Sequence, residues 1–184
     1  MRALGLLSAT PSLTTTPDPS TDAHWYAVRT RSRHEKRVRG ELEGCSCVDV
    51  FLPLYHRWSW WGDRMKQIDV PLFSGYCFAR FHYRDRLVVL RAFGVIELVG
   101  QGGRPEWIPE TEIEAIRSLM DSKLRYDPHP FLTAGAEVEV VRGPLRGSRG
   151  RLLRKDRTTR VVLSVNLIQR SVSVEIPAAD VAPV

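Results

Sequence analysis

Apolar and polar positions along the chain change period several times, and each change marks an element. "HWYAVRT", residues 24–30, joins aromatic and β-branched residues without a breaker and predicts a first strand. From Ser32 the period lengthens: His34, Val38 and Leu42 recur every fourth residue, Ser32 and Glu35 have capping-box spacing, and Gly44 stands where a C-terminal cap belongs. A helix is expected there, with Arg33, Lys36, Arg37 and Arg39 on its solvated face. "VDVFLPLYHRW" and "MKQIDVPLFSGYCFARF" predict two strand regions joined across Trp60, Trp61, Gly62 and Asp63 as a hairpin. Trp58, Trp60 and Trp61 crowd that tip, either exposed or folded back as a satellite cluster. Between Asp85 and Phe93, Leu87, Val88 and Leu90 predict a second helix that Gly94 stops, and "VIELVG" reads as another strand. Pro109 suits a first helical turn, and Ile113, Ile116, Leu119 and Met120 mark one face of a third helix ending near Lys123. This order implies an α+β sandwich with helices on a largely antiparallel sheet.

The pattern then breaks. "YDPHPFLTAG", residues 126–135, holds two prolines and several turn formers, the composition of a linker. Beyond it "AEVEVV", "GRLLRK", "TRVVLSVNLI" and "SVSVEIP" give four short β runs, the spacing of a small barrel. The expected organisation is a disordered tail over residues 1–23, rich in Thr, Ser and Pro, a first domain over 24–125, a linker over 126–135 and a β domain over 136–184.

Composition sharpens this picture in three ways. The formal net charge is +6, and residues 134–184 carry nine Lys and Arg against five acids, which favours an anionic partner such as nucleic acid. Within Arg142–Arg160 the basic run is opposed only by Asp156. The three cysteines, Cys45, Cys47 and Cys77, form no CxxC pair, so neither a disulfide framework nor a zinc site is supported and a reducing cytoplasm fits. No stretch approaches the roughly 18 apolar residues of a membrane span, and "ALGLL" is thin for a secretory segment. His34 and Glu35 are adjacent rather than metal-spaced, and no P-loop, HExxH or nucleophile motif occurs, so neither an enzyme nor a metal or cofactor site is expected.

"VEVVRGPLRGSRGRLL" passes from a strand through Gly143, Pro144 and a hydrophobe to Gly147 and Gly150 before a second strand. This resembles a KOW motif, whose glycines permit a tight loop between barrel strands. "WYAVRT", "PLFSGYCFARF" and "FGVIELVG", in this order, are similar to the NusG amino-terminal domain. Over residues 24–184 the chain thus resembles the NusG family of transcription elongation and antitermination factors, and "LSVNLIQRSVSVEI" looks closer to the specialised paralogues of RfaH and UpxY type.

The resemblance implies a NusG-type α+β sandwich followed by a small all-β KOW (SH3-like) barrel, acting as a cytoplasmic monomer. It implies that the first domain docks on the clamp helices of the RNA polymerase β′ subunit through Arg29, Phe73, Ser74, Tyr76 and Phe78. Ser74 departs from the proline that many relatives place there. Strand alternation sends Tyr76 and Phe78 to one face, so core packing competes with docking for each aromatic. His82, Arg84, Arg86 and Arg91 are implied to meet the non-template DNA strand or nascent RNA. Because "RLVVLRAF" replaces the polar sequence-reading run of RfaH, that contact is expected to be nonspecific. The KOW domain would recruit a ribosomal protein or a termination factor. The competing reading is a ribosome-associated RNA-binding protein that uses the barrel, which has no need of "PLFSGYCF". In RfaH the small domain can also fold as a helical hairpin. Here the β-branched Val138, Val140, Val161, Val162, Val165, Val172 and Val174 predict a barrel.

Overall fold

A computed structural model describes residues 22–129, 135–155 and 158–184, so the expected tail falls almost wholly outside it. The amino-terminal unit runs β1 (His24–Thr30), α1 (Glu35–Leu42), β2 (Asp49–Phe51), β3 (Leu54–Trp61), β4 (Arg64–Pro71) and β5 (Tyr76–Phe81). A 3-10 turn (Tyr83–Asp85), α2 (Arg86–Arg91), β6 (Val95–Leu98), β7 (Gly100–Gln101), β8 (Arg104–Pro105), β9 (Trp107–Ile108) and α3 (Glu110–Asp121) complete it. The main sheet has the order β2-β5-β1-β6, with β9 also pairing β1, and the described ladders are antiparallel. β1 is buried on both faces, which is why its sequence is nearly continuous in apolar residues. Tyr26 and Val28 join Val38, Leu42, Phe81 and Val89 under α1 and α2, while Trp25 and Ala27 join Phe78, Ile113, Ile116 and Leu119 under α3.

Several local expectations need correction. The capping box does not form. Arg33 takes a left-handed conformation (φ 62°) and His34 N–H donates to the Arg31 carbonyl at 3.0 Å, so a tight turn precedes α1 and His34 holds the cap position, its ring Nδ1 bonded to the Ser32 carbonyl at 2.9 Å rather than to a helix N–H. The helix ends on Glu43 in right-handed geometry, and Gly44 is not among the positive-φ glycines. In α2 the expected set Leu87, Val88 and Leu90 is 37–50% exposed and Val89 is the buried residue. A six-residue helix offers little more than one inward position, and Val89 takes it, which turns Leu87, Val88 and Leu90 outward. Pro109 is the cap before α3 rather than its first turn. The hairpin is confirmed: β3 and β4 pair through Trp61 and Arg64 around Gly62–Asp63, as a two-stranded ribbon apart from the main sheet.

The carboxy-terminal unit comprises β10 (Tyr126–His129), β11 (Glu137–Val140), β12 (Arg149–Lys155), β13 (Thr158–Val165), a 3-10 turn (Asn166–Ile168), β14 (Arg170–Glu175) and β15 (Val181–Pro183). Its order is β10-β14-β13-β12-β11-β15. The seven valines named above are each at most 3% exposed, so this unit is all-β as its β-branched pattern predicts. Tyr126–His129, expected as linker, pairs along β14 and closes an edge that would otherwise present unpaired backbone groups. Residues 130–134 lie outside the described residues. The KOW glycines have two different reasons to be glycine. Gly143 and Gly147 adopt φ of 83° and 85°, and a Cβ on Gly150 would meet the Val162 carbonyl oxygen at 2.6 Å.

The two units share a contact. One continuous apolar cluster runs from Trp25, Phe73, Phe78 and Ile116 to Val161, Leu163 and Ile168. At its rim the backbone N–H and side-chain amide of Asn166 donate to the Glu112 carboxylate at 3.1 and 2.7 Å, joining the turn after β13 to the first turn of α3.

Candidate functional site

The stretch "PLFSGY" leaves β4 and turns into β5. Tyr76 N–H donates to the Phe73 carbonyl at 3.1 Å, and Gly75 has φ 82° at the third position of this four-residue turn. Such turns favour glycine there and proline just before it, so Ser74 occupies the position where proline would fit. The turn is braced from two sides. Thr30 N–H donates to the Gly75 carbonyl at 2.8 Å, and Gly75 N–H donates to the Glu35 carboxylate at 2.8 Å. Glu35 is only 5% exposed, so the acid expected in a capping box instead fastens the turn to α1. No local sequence rule could have shown this, because the two residues are 40 apart.

Beside the turn lies an open concavity. Ile68, Val70 and Ile96 supply apolar wall, Arg29, Ser74 and Tyr76 face it, and Arg170 reaches it from the carboxy-terminal unit. The Arg29 guanidinium donates to Glu97 at 2.9 Å across the β1–β6 ladder, and that hydrogen bond is the largest cause holding its pKa above the ordinary arginine value. The structure thus brings together Arg29, Ser74 and Tyr76. It sends Phe73 and Phe78, 2% and 0% exposed, inward, where their rings meet edge-on at 5.9 Å. Tyr76 packs against the same cluster as Phe78, as alternation requires. Cys77 points the opposite way, and burial, with the charge of Glu35 adding to it, pushes its thiol up to about 12.

The residues expected at nucleic acid gather around the turn before α2. Arg86 lies over the Tyr83 ring at 4.6 Å and donates to the Tyr83 carbonyl at 3.3 Å. Arg84 pairs with Asp85 at 3.7 Å with a side chain 78% exposed, His82 is half-buried and Arg91 is exposed. A neighbouring cluster went unpredicted. Arg37 stacks over Phe93 at 4.0 Å, Arg31 approaches the same ring at 5.9 Å, and His34 is 5.7 Å away. Phe93 is 47% exposed, so this is a cation-rich aromatic surface rather than the plain solvated helix face expected.

In the barrel, Arg149 and Arg151 meet Glu139 and Glu137 at 3.2 and 3.0 Å. These acids lie directly across the β11–β12 ladder, so the basic run is not opposed by Asp156 alone, which reading along the chain could not reveal. Arg142 and Arg146 are exposed beside the KOW loop, while the side chains of residues 154, 155 and 157 lie outside the described set. Among the described residues no group of three or more His, Cys, Asp or Glu is placed to hold a metal, and no helix is long and apolar enough to cross a membrane.

No curated protein matches the sequence significantly. Among solved structures, NusG of Thermotoga maritima, studied for its domain interaction, is 22% identical and superposes with a TM-score of 0.56 over 88% of this chain and 97% of that one. The MjSpt4:Spt5 complex in conformation B is 20% identical over 87% of this chain and 96% of that one, with a TM-score of 0.30. The first likeness confirms the fold, a helix-and-sheet domain followed by a small β domain. The family model "Transcription termination factor nusG" matches residues 23–117, from the start of β1 into α3 and more than half of the chain. The chain therefore belongs to the NusG family of transcription factors.

Proposed function

We propose that this protein regulates transcript elongation or termination by engaging RNA polymerase, at its β′ clamp helices, through the concavity of Arg29, Ser74 and Tyr76. The observation that carries this reading is convergence. Residues from β1 and from the β4–β5 turn meet at one apolar hollow with a cationic rim, and a buried carboxylate holds the turn in place. Such a hollow suits an amphipathic helical segment with acidic flanks. Phe73 and Phe78 lie behind this hollow in a cluster that continues into the carboxy-terminal unit; on this reading the arrangement is the closed form, and engagement moves the barrel away. His82, Arg84, Arg86 and Arg91 then contact phosphates without reading bases, Arg forks being suited to phosphate oxygens. The freed barrel is available to a ribosomal protein or a termination factor. On this reading the protein acts as a monomer in the cytoplasm.

Affinity capture with the full chain tests it. RNA polymerase, rather than ribosomal subunits, should be retained. Tyr76→Ala with Arg29→Glu should weaken retention by about thirtyfold, the equivalent of losing one interface anchor of about 2 kcal/mol, with little change in melting temperature because both side chains are at least partly exposed. Capture of ribosomes alone, or full retention by the double variant, would overturn the proposal.

A further inference from the structure

The β3–β4 ribbon carries chemistry that the polymerase reading does not use. Among the described residues it pairs with no other strand, and its outer half projects two tryptophans: Trp58 is 62% and Trp60 71% exposed, with Met65, 51% exposed, directly across from Trp60. Side chains two residues apart on a strand share a face, so Trp58, Trp60 and Met65 form one aromatic and apolar face. The register puts Arg57, Arg64 and Lys66 on the other face, with Ile68 across from Arg57 and Ser59 across from Lys66. Among the described residues neither Arg57 nor Arg64 is drawn into an ion pair, whereas the acid nearest the ribbon base, Asp69, is engaged by His56 at 2.6 Å. A water-exposed pair of tryptophans is costly, and a ribbon only two strands wide lets long arginines reach around its rim to whatever covers the aromatic face.

We infer that this ribbon is a binding site for unpaired nucleic acid, with bases stacked on Trp58 and Trp60 and the strand's phosphates held by Arg57 and Arg64. The spacing fits. Residues i and i+2 of a strand lie about 6.6–6.8 Å apart, twice the roughly 3.4 Å repeat of stacked bases, so one base can enter between the two indoles. The charge also fits, since stacking on aromatic faces beside a cationic track binds single strands with little preference for sequence. A duplex hides its base faces and offers nothing for the tryptophans to stack on. This inference does not depend on polymerase docking, whose concavity is lined by the ribbon base and not its tip.

The test is titration of the full chain with oligothymidylate and oligouridylate of about 15 nucleotides, read by quenching of tryptophan fluorescence and by anisotropy of a labelled strand. Both strands should bind more tightly than a duplex of equal length. Trp58→Ala with Trp60→Ala should weaken binding by at least about tenfold at roughly 200 mM salt, where phosphate contacts alone are weak, with an unchanged melting temperature. Trp58→Phe with Trp60→Phe should retain most of the affinity, and Arg57→Ala with Arg64→Ala should flatten its salt dependence. Equal affinity of the wild type and the Trp→Ala pair, or preference for duplex, would overturn the inference. It would also fall if the Trp→Ala pair abolished a concentration-dependent dimer or polymerase capture while leaving oligonucleotide binding intact, since the face would then serve a second copy or a protein.

Discussion

Glu35 gives the sharpest contrast between what the sequence suggests and what the fold uses. In a capping box, Ser32 and Glu35 share the work of ending α1, and Ser32→Ala costs about 0.5–2 kcal/mol. In the structure Ser32 is exposed and caps nothing, so its replacement should change stability by less than about 0.5 kcal/mol. Glu35→Ala removes a charge-assisted hydrogen bond of about 1.5–3 kcal/mol and leaves Gly75 N–H without its partner in a site where Glu35 itself is 5% exposed. We expect a loss of about 2–3 kcal/mol, a substantial share of the roughly 5–15 kcal/mol that holds a domain together, and a fall in melting temperature of about 4–12 °C. Hydrogen exchange supplies the local readout, because the Gly75 amide should exchange faster in Glu35→Ala than other amides of β5. Denaturant melts of both variants, together with that amide, decide the matter. A Ser32→Ala cost equal to that of Glu35→Ala, or unaltered protection at Gly75, would refute the brace and reinstate the cap.

Three further outcomes follow. Gly150→Ala places a methyl at 2.6 Å from the Val162 carbonyl and 2.7 Å from Val161 Cγ1, so the β12–β13 ladder must part, and calorimetry should show a loss of about 1–3 kcal/mol or more confined to the barrel. Glu112 has its pKa raised by burial, against the lowering effect of the Asn166 hydrogen bonds; its contribution to stability is therefore present below its ordinary value of 4.5 and lost as pH rises through the folded value, and Glu112→Gln should abolish that slope in pH-dependent melts. Cys77, buried and pushed up to about 12, should resist iodoacetamide at pH ~8 while exposed Cys47 is alkylated, as peptide mass mapping would show.

Period and punctuation made the first strand, the hairpin, the third helix and the β domain legible, because each is governed by local burial. β1 and its seven residues, the Gly62–Asp63 tip and the seven barrel valines all stand where β-branched and aromatic content, turn residues and short β runs put them. What stayed hidden depends on partners distant in the chain. Val89 rather than Leu87, Val88 or Leu90 faces inward because a six-residue helix docks on a sheet already built from β1 and β5. Glu137 and Glu139 neutralise Arg151 and Arg149 only because a hairpin register brings them opposite. Residues 126–129, with a proline and turn formers, read as linker, yet the free edge of β14 recruits them as a strand; Pro128 is tolerated because edge positions can spare a donor.

We propose a conformational answer to the competition between core and docking surface for these aromatics. Phe73 and Phe78 are buried as thoroughly as Trp25 and Ile116, which alone would assign them to the core. Yet their cluster does not end at the boundary of the amino-terminal unit; it continues into Leu163 and Ile168 of the barrel, and the described polar fastening between α3 and the turn after β13 is Asn166 on Glu112. An apolar surface that one domain buries against another is available to a third partner whenever the interface opens, at a cost equal to the docking free energy. Intramolecular interfaces of this kind are commonly modest in area, and relative motion across them is the default expectation. A residue can thus be core in the closed chain and anchor in the open one. Under that reading the exposed members of the set, Arg29, Ser74 and Tyr76, make the first encounter, and Phe73 follows only after the barrel has left. Substitutions at Tyr76 should therefore slow association, whereas loosening the Glu112–Asn166 contact with Asn166→Ala should speed it, and stopped-flow binding to polymerase would separate the two steps.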